Sequence, residues 1–187
     1  MLIAWSTCSI LSSGAIGKRK RVSAATAVLI TGASGFVGSA VARTLLHAGF
    51  SVRALVRQAS PRFHLDGLDL EFITGDLRDA DSMRSAMSGI RYVFHVAADY
   101  RLWARDPSTI YAANVDGTRN VMQEALRAGV ERVVYTSSVA ALKPGATAVD
   151  ETSRHTPQTV IGSYKRSKLM AEREVEREQG NGEEDRA

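Results

Sequence analysis

"LITGASGFVGSAV", residues 29–41, places three glycines at intervals of three residues between two apolar segments. The run AVLIT (27–31) before them is short and wholly apolar, which is typical of a strand covered on both faces. The segment Phe36–Ala48 after them has the pattern of a helix. The stretch therefore predicts a strand, a tight loop and a helix, with the loop backbone close to another group.

Strand-like and helix-like segments alternate through the rest of the chain. Further strands are predicted at 51–56, 70–74, 91–97 and 131–137, and further helices at 79–87, 107–128 and 163–178. Such alternation predicts the α/β class, with a doubly wound parallel sheet of the Rossmann-like type in three α/β/α layers. Residues 27–178 would form this domain, 1–26 a disordered or poorly ordered N-terminal extension and 179–187 a polar, disordered tail.

Composition excludes several classes of function. The net charge is +4, but the one tight basic cluster, Lys18–Arg21, lies in the extension, where it is typical of a solvated flank rather than a nucleic-acid site. The single cysteine, Cys8, allows no internal disulfide, and the four histidines have no metal-ligand spacing, so no metal site is expected. His95, in an apolar run, is predicted to be a satisfied core or cleft-lining residue. The cysteine usage and the lack of a signal-peptide pattern favour the cytoplasm.

The glycine loop predicts a dinucleotide site because it joins the first strand to the first helix. Gly32 would allow the tight turn, Gly35 would let the backbone approach a pyrophosphate, and Gly38 would let helix and strand pack closely. The helix N-terminus then offers free N–H groups to the phosphates. The spacing is GxxGxxG and not the commoner GxGxxG.

The second predicted strand indicates which dinucleotide is bound. NAD sites carry an acidic residue about 20 residues after the loop, on the ribose 2′-hydroxyl. This chain has Arg57 directly after the strand and no acid before Asp66. A cation there suits a 2′-phosphate, so NADP(H) is the expected cofactor; the alternatives are NAD and a solvent-facing arginine without contact.

Tyr164 and Lys168 share a helix face in "YKRSK" because they stand four residues apart. An ammonium near a phenol favours the phenolate and makes tyrosine a usable acid or base near neutral pH. The bare pattern also occurs by chance on amphipathic helices.

Together these segments resemble the extended short-chain dehydrogenase/reductase family, the NAD-dependent epimerases and dehydratases. The matching motifs are TGASGFVG (31–38), GDLRD (75–79), HVAA (95–98), NVDGTRNV (114–121), VYTSSVA (134–140) and YKRSK (164–168). Within the family, FHVAADYRLWARDP (94–107) followed by YAANVDGTRNVM (111–122) is similar to the hopanoid-associated sugar epimerases, close to the dihydroflavonol-4-reductase-like branch.

The resemblance implies a role for each matched position. Residues implied to bind the cofactor are Gly32, Gly35, Phe36, Val37 and Gly38 at the pyrophosphate, Asp76 and Leu77 at the adenine, Ala97 and Ala98 at the nicotinamide-side ribose, and Asn114 in support. Capping of a helix or turn is the alternative for Asp76 and Asn114. Tyr164 would transfer the proton, Lys168 would hold the ribose hydroxyls, and Ser138 would bond the substrate oxygen, with Ser137 as the alternative to Ser138.

The implied reaction is hydride transfer at a carbinol carbon of a sugar, a nucleotide sugar or another hydroxy or keto compound. An epimerase performs it twice and a reductase once, and these residues do not separate the two. Pairing through the helices at 107–128 and 163–178 would give a homodimer.

The likeness stops after Glu174, where the family continues into a sixth strand and a C-terminal substrate domain. We therefore expect a C-terminally truncated chain whose fifth strand has an open edge. A catalytically weak NADP(H)-binding fragment and an NADP(H)-sensing regulator are the alternatives to an active enzyme.

Overall fold

The computed structural model describes residues 2–6, 26–145, 148–150, 152–153, 155–156 and 158–184. The strands are β1 (Leu2–Ser6), β2 (Ala27–Thr31), β3 (Ser51–Val56), β4 (Glu71–Thr74), β5 (Tyr92–His95) and β6 (Arg132–Thr136). The helices are α1 (Phe36–His47), α2 (Ala80–Ala86), α3 (Ser108–Tyr111), α4 (Gly117–Arg127) and α5 (Ser163–Glu184). Single 3₁₀ turns lie at Phe63–Leu65 and Val139–Ala141.

One sheet runs in the order β1-β6-β5-β2-β3-β4, and every pair from β6 to β4 is parallel. The central strand β2 pairs with β3 on one side and β5 on the other, so Val28 lies between Val52 and Tyr92. The chain order reverses at β2, which is the topological switch point of a doubly wound fold. The predicted fold class is confirmed.

Both faces of the sheet are covered, which explains the wholly apolar AVLIT run. Val28 and Ile30 point to one face, where they pack in a buried cluster with Ala42 and Leu45 of α1. Leu29 points to the other face and joins a cluster built with α2, α4 and α5. Since successive side chains of a strand alternate between faces, a strand covered on both sides needs an apolar residue at every position.

The long helix predicted at 107–128 is broken by a π-helical turn at Ala112–Asp116, between α3 and α4. Such a turn inserts an extra residue into the helix and is frequent at functional sites. Asn114 lies within it and is 2% exposed.

Within residues 1–26, predicted to be a disordered or poorly ordered extension, Leu2–Ser6 forms β1 and pairs antiparallel with β6 from Leu2↔Thr136 to Ser6↔Arg132. The predicted open edge of the fifth strand, β6, is therefore paired along this register. The edge of a sheet presents unpaired N–H and C=O groups that a further strand satisfies. Cys8 and the Lys18–Arg21 cluster lie outside the described residues.

Within residues 179–187, predicted to be a polar tail, α5 continues to Glu184. Adding residues to a formed helix is far less costly than nucleating one, so the backbone of Gly180 and Gly182 follows the helix despite the low propensity of glycine. None of the described helices combines the length and apolar character needed to cross a bilayer.

Candidate active site

The residues that the motifs point to lie on the loops after the carboxyl ends of β2 to β6 and at the start of α5. In an open parallel sheet these loops meet at one edge, where ligands bind. The glycine loop follows β2, Arg57 follows β3, Asp76 follows β4, Ala97 follows β5 and Ser138 follows β6. The fold thus brings the predicted site residues to a single edge.

The glycine loop is held by two close approaches of backbone to backbone. Gly32 has φ +73°, and a Cβ there would stand 2.6 Å from Cα and N of Ala97. A Cβ on Gly38 would stand 2.1 Å from the carbonyl oxygen of Gly32. A Cβ on Gly35 would be 3.4 Å from that oxygen, which is ordinary van der Waals contact. Gly32 and Gly38 are therefore required by packing, whereas Gly35 leaves space on the exposed side of the loop.

The start of α1 fits a phosphate group. Gly35 is its N-cap and is exposed, with no side-chain hydrogen bond that caps the helix. The first turn of a helix has N–H groups without intrahelical partners, together with the positive end of the helix dipole. The side chains of Phe36 and Val37 are 82% and 52% exposed beside them. A dinucleotide pyrophosphate has the charge and the acceptor oxygens that this helix start requires.

Arg57 is exposed at the end of β3 and acts electrostatically on two carboxylates across the edge, lowering the pKa of Asp76 and of Asp99. Each carboxylate is already paired with another arginine, and that pairing is the larger cause of its lowered pKa. Arg78 donates from Nη2 to Asp76 Oδ2 at 2.6 Å and from its backbone N–H to Oδ1 at 2.9 Å. These contacts close the turn after β4, and a role of Asp76 at the adenine stays a prediction.

Leu77, the other residue implied at the adenine, is held from α4. Its carbonyl accepts from Asn120 Nδ2 at 2.8 Å. A Cβ on Gly117 would come within 3.0 Å of the Leu77 side chain, so the helix approaches this loop closely. After β5, Ala97 N–H donates to Thr31 Oγ1 at 3.4 Å, and Ala98 is exposed.

His95 is fully buried, and both of its ring nitrogens are bonded, as predicted for a satisfied core residue. Nδ1 lies 2.7 Å from Thr31 Oγ1 and Nε2 lies 2.9 Å from Thr118 Oγ1. Thr118 donates its hydroxyl proton to the Asn114 carbonyl at 2.6 Å, so it accepts from His95. This order assigns the neutral tautomer with the proton on Nε2. Burial, and secondly Lys168, lower the pKa of His95 to about 3.

Asn114 connects the loop after β5 to the start of α5. Its Oδ1 accepts from the N–H of Asp99 at 2.6 Å, and its Nδ2 donates to the carbonyl of Asp99 and to Ser167 Oγ, each at 2.9 Å. Ser167 Oγ in turn donates to the Tyr164 carbonyl at 2.7 Å. These contacts fit the supporting role that the resemblance implied.

The two serines after β6 face different groups. Ser138 Oγ lies 3.4 Å from Tyr164 Oη, which donates to it. Ser137 is 8% exposed, and its hydroxyl donates to Glu172 Oε1. The geometry therefore places Ser138, and not Ser137, beside the tyrosine hydroxyl.

Lys168 follows Tyr164 by one helical turn and is 2% exposed. Its Nζ donates to Tyr135 Oη at 2.6 Å and to the Thr136 carbonyl at 2.9 Å. Burial lowers the pKa of Lys168 to about 8, and Glu172 acts in the opposite direction. Burial also raises the pKa of Tyr135, which keeps that phenol neutral.

Sequence reasoning missed Tyr135, Thr118 and Glu172 as members of this site. Glu172 follows Lys168 by four residues, so helical spacing alone could have found it. Tyr135 and Thr118 carry no such signal, because they reach the site from β6 and α4. Within the described residues, no group of three or more His, Cys, Asp or Glu side chains could hold a metal ion.

Comparison with known proteins identifies the family. A profile of the NAD dependent epimerase/dehydratase family matches residues 28–183, so the chain belongs to that family. The "Putative dihydroflavonol 4-reductase" of Synechocystis sp. is 45% identical over 148 residues, which are 78% of this chain and 43% of that protein. The family resemblance read from the motifs is confirmed.

Solved structures agree in fold. The crystal structure of gox2253 superposes with a TM-score of 0.76 and 52% identity, over 81% of this chain and 46% of that one. The Bordetella bronchiseptica enzyme WbmG in complex with NAD has a TM-score of 0.73 and 27% identity, over 82% of this chain and 50% of that one. The chain thus spans half or less of the length of these three proteins. Placement in the hopanoid-associated branch stays a prediction.

We expect Gly38→Ala to lower the free energy of unfolding by about 2 kcal/mol or more, because the new methyl group would overlap the Gly32 carbonyl within rigid backbone. Gly35→Ala is the matched control and should cost less than about 1 kcal/mol, since its Cβ meets only ordinary contact. Urea denaturation measures both. Equal midpoints for the two variants would show that the loop is not packed as described.

Acid should destabilise the fold through His95. Its pKa is about 3 in the folded chain and near 6.5 when unfolded, so the unfolded state binds more protons between these values and stability falls as pH drops below about 6.5. The contribution is about 2 kcal/mol between pH 7 and pH 5. His95→Gln should remove that part of the pH dependence in urea denaturation, and His47→Gln, on the exposed end of α1, should keep it. An unchanged pH dependence in His95→Gln would contradict the assignment.

Proposed function

We propose that this chain carries the cofactor-binding and proton-transfer machinery of an NADP(H)-dependent oxidoreductase or epimerase that acts at a carbinol carbon. The observation that carries the proposal is the Tyr164–Ser138 pair, whose hydroxyl oxygens are 3.4 Å apart. Lys168 is buried one helical turn after Tyr164, and the start of α1, which has no side-chain cap, lies at the same edge of the sheet. Membership of the NAD dependent epimerase/dehydratase family supports the same chemistry.

The glycine loop and the start of α1 would hold the pyrophosphate, with Leu77 near the adenine and Ala97 and Ala98 beside the nicotinamide-side ribose. The bound nicotinamide supplies or accepts the hydride. Arg57 would pair with the 2′-phosphate, which is why we propose NADP(H) rather than NAD. Its guanidinium is exposed, and the two carboxylates it acts on are bonded to other arginines.

Tyr164 would move the proton at the substrate oxygen. Ser138 Oγ would hold that oxygen in hydrogen-bond distance of Tyr164 Oη, which its present separation of 3.4 Å allows. Two of the three N–H donors of Lys168 bond Tyr135 and Thr136, and the third would reach the ribose hydroxyls.

A positioned acid or base contributes about 10²- to 10⁴-fold to rate, so Tyr164→Phe should reduce turnover by that factor and leave NADPH binding intact. Tyr92→Phe, at the start of β5, is the matched control. NADPH binding is measured by fluorescence, and turnover by NADPH oxidation with a dihydroflavonol and by interconversion of UDP-glucose. Binding without turnover would reduce the proposal to a cofactor-binding module, and absence of NADPH and NADH binding would reject it.

Arg57→Ala should weaken NADPH about tenfold or more and leave NADH unchanged, because only NADPH has the phosphate that the arginine would pair with. Arg62→Ala removes a nearby exposed guanidinium, which lies 4.9 Å from the Phe72 ring centroid, and should change neither affinity. Fluorescence titration with both cofactors decides the question. Tighter binding of NADH than NADPH by the unmodified chain would overturn the NADP(H) assignment.

A further inference from the structure

Three polar residues lie along one face of α5 at intervals of four: Tyr164, Lys168 and Glu172. Residues four apart on a helix are neighbours on its surface. The proposed mechanism uses the first two and leaves Glu172 without a role. Lys168 and Glu172 are 2% and 1% exposed, so an amine and a carboxyl group stand one helical turn apart away from water.

Glu172 is held in place from one side only. Its Oε1 accepts the hydroxyl proton of Ser137, the residue that follows β6. Its Oε2 is buried and has no hydrogen-bond partner among the described residues. A buried carboxylate oxygen without a partner is costly, and such a group in a native fold requires an explanation. Lys168 lies one turn earlier on the same helix face and interacts with this carboxyl electrostatically, without a direct ion pair between the two side chains among the described contacts.

The charge on Lys168 needs a counterion that the rest of its surroundings do not supply. The titratable groups that face it are Tyr135 from β6, His95 from β5, and Tyr164 and Glu172 from its own helix. His95 is neutral, as its hydrogen bonds show. Tyr135 is a neutral phenol whose oxygen accepts a hydrogen bond from Lys168 Nζ. Glu172 is the carboxyl group among them, and it is therefore the candidate counterion for Lys168.

We infer that Glu172 is a positioning residue whose carboxylate, fixed by Ser137, keeps the buried Lys168 side chain in its ammonium form. The inference rests on the proposed function for its catalytic meaning, because the third N–H donor proposed to reach the ribose exists only in the ammonium form of Lys168. The electrostatic claim itself concerns the chain without cofactor or substrate.

The consequence is a lysine whose protonation near neutral pH depends on one carboxylate. Burial lowers the pKa of Lys168 to about 8, and Glu172 limits that decrease. Loss of the carboxylate should move the lysine titration to lower pH by about one unit or more, as is usual for a close charge partner. A large fraction of Lys168 would then be neutral at physiological pH.

The test is an NMR titration of the unliganded chain labelled with ¹³Cε-lysine, followed from pH 6 to pH 10. Lys168 is assigned by the loss of its signal in Lys168→Met. Glu172→Gln should lower the Lys168 midpoint by about one pH unit or more. Glu174→Gln removes an equal charge from the same helix, from a side chain bonded to Arg119 and Arg177, and should leave the midpoint unchanged. An unchanged midpoint in Glu172→Gln overturns the inference.

A second measurement uses the native chain and therefore does not depend on the folding of a variant. In the native chain labelled with ¹³Cδ-glutamate, the Glu172 carboxyl signal should show an inflection at the Lys168 midpoint, because the two charges are neighbours. Absence of that inflection would likewise overturn the inference. Neither experiment contains cofactor or substrate, so failure of NADPH binding or of turnover rejects the proposed function alone, and an unchanged lysine midpoint rejects the role of Glu172 alone.

Discussion

The site depends on a chain of buried hydrogen bonds that crosses the fold from β2 to α5. It runs from Thr31 through His95 and Thr118 to Asn114, and from the Asn114 side chain to Ser167. The side chains are at most 2% exposed, so an unmade bond in this chain would leave a polar group without water. Ser167 ends the chain by bonding the carbonyl of Tyr164. The strand that leads into the glycine loop and the turn that carries the tyrosine are thereby fixed relative to each other.

The direction of these bonds also decides where charge can reside. Each hydroxyl both donates and accepts, and the order of donors leaves His95 with one ring proton and no charge. Adding a second proton would oblige Thr31 to give up its donation to Nδ1 in a space without water. The buried centre of the domain therefore excludes positive charge at His95. Lys168, near the candidate site, is the buried basic side chain that can carry a charge.

The elements and the cofactor loop could be predicted because their signals are local. Apolar runs bounded by glycine define the parallel strands within one or two residues, and the spacing of Gly32 and Gly38 reflects two backbone contacts that no other residue permits. The choice between Ser137 and Ser138 could not be made from sequence, because both follow β6 and only the position of α5 distinguishes them. The pairing of β1 was missed for a similar reason: Leu2–Ser6 becomes a strand only against β6, which is 125 or more residues away in the chain.

The two parts of the proposed activity, cofactor-dependent proton transfer and substrate binding, involve side chains that differ in burial. The groups proposed to bind the dinucleotide and move the proton come from loops of one sheet and from α5, and the network from Thr31 to Ser167 fixes the start of α5 relative to β2. The loop after β5 contrasts with this network, because its side chains Tyr100, Leu102 and Trp103 are more than three-quarters exposed. Exposed side chains on a loop have many accessible rotamers, so they cannot by themselves impose one orientation on a bound molecule. The buried network thus fixes the position of Tyr164, whereas the side chains on the loop after β5 are not fixed in this way.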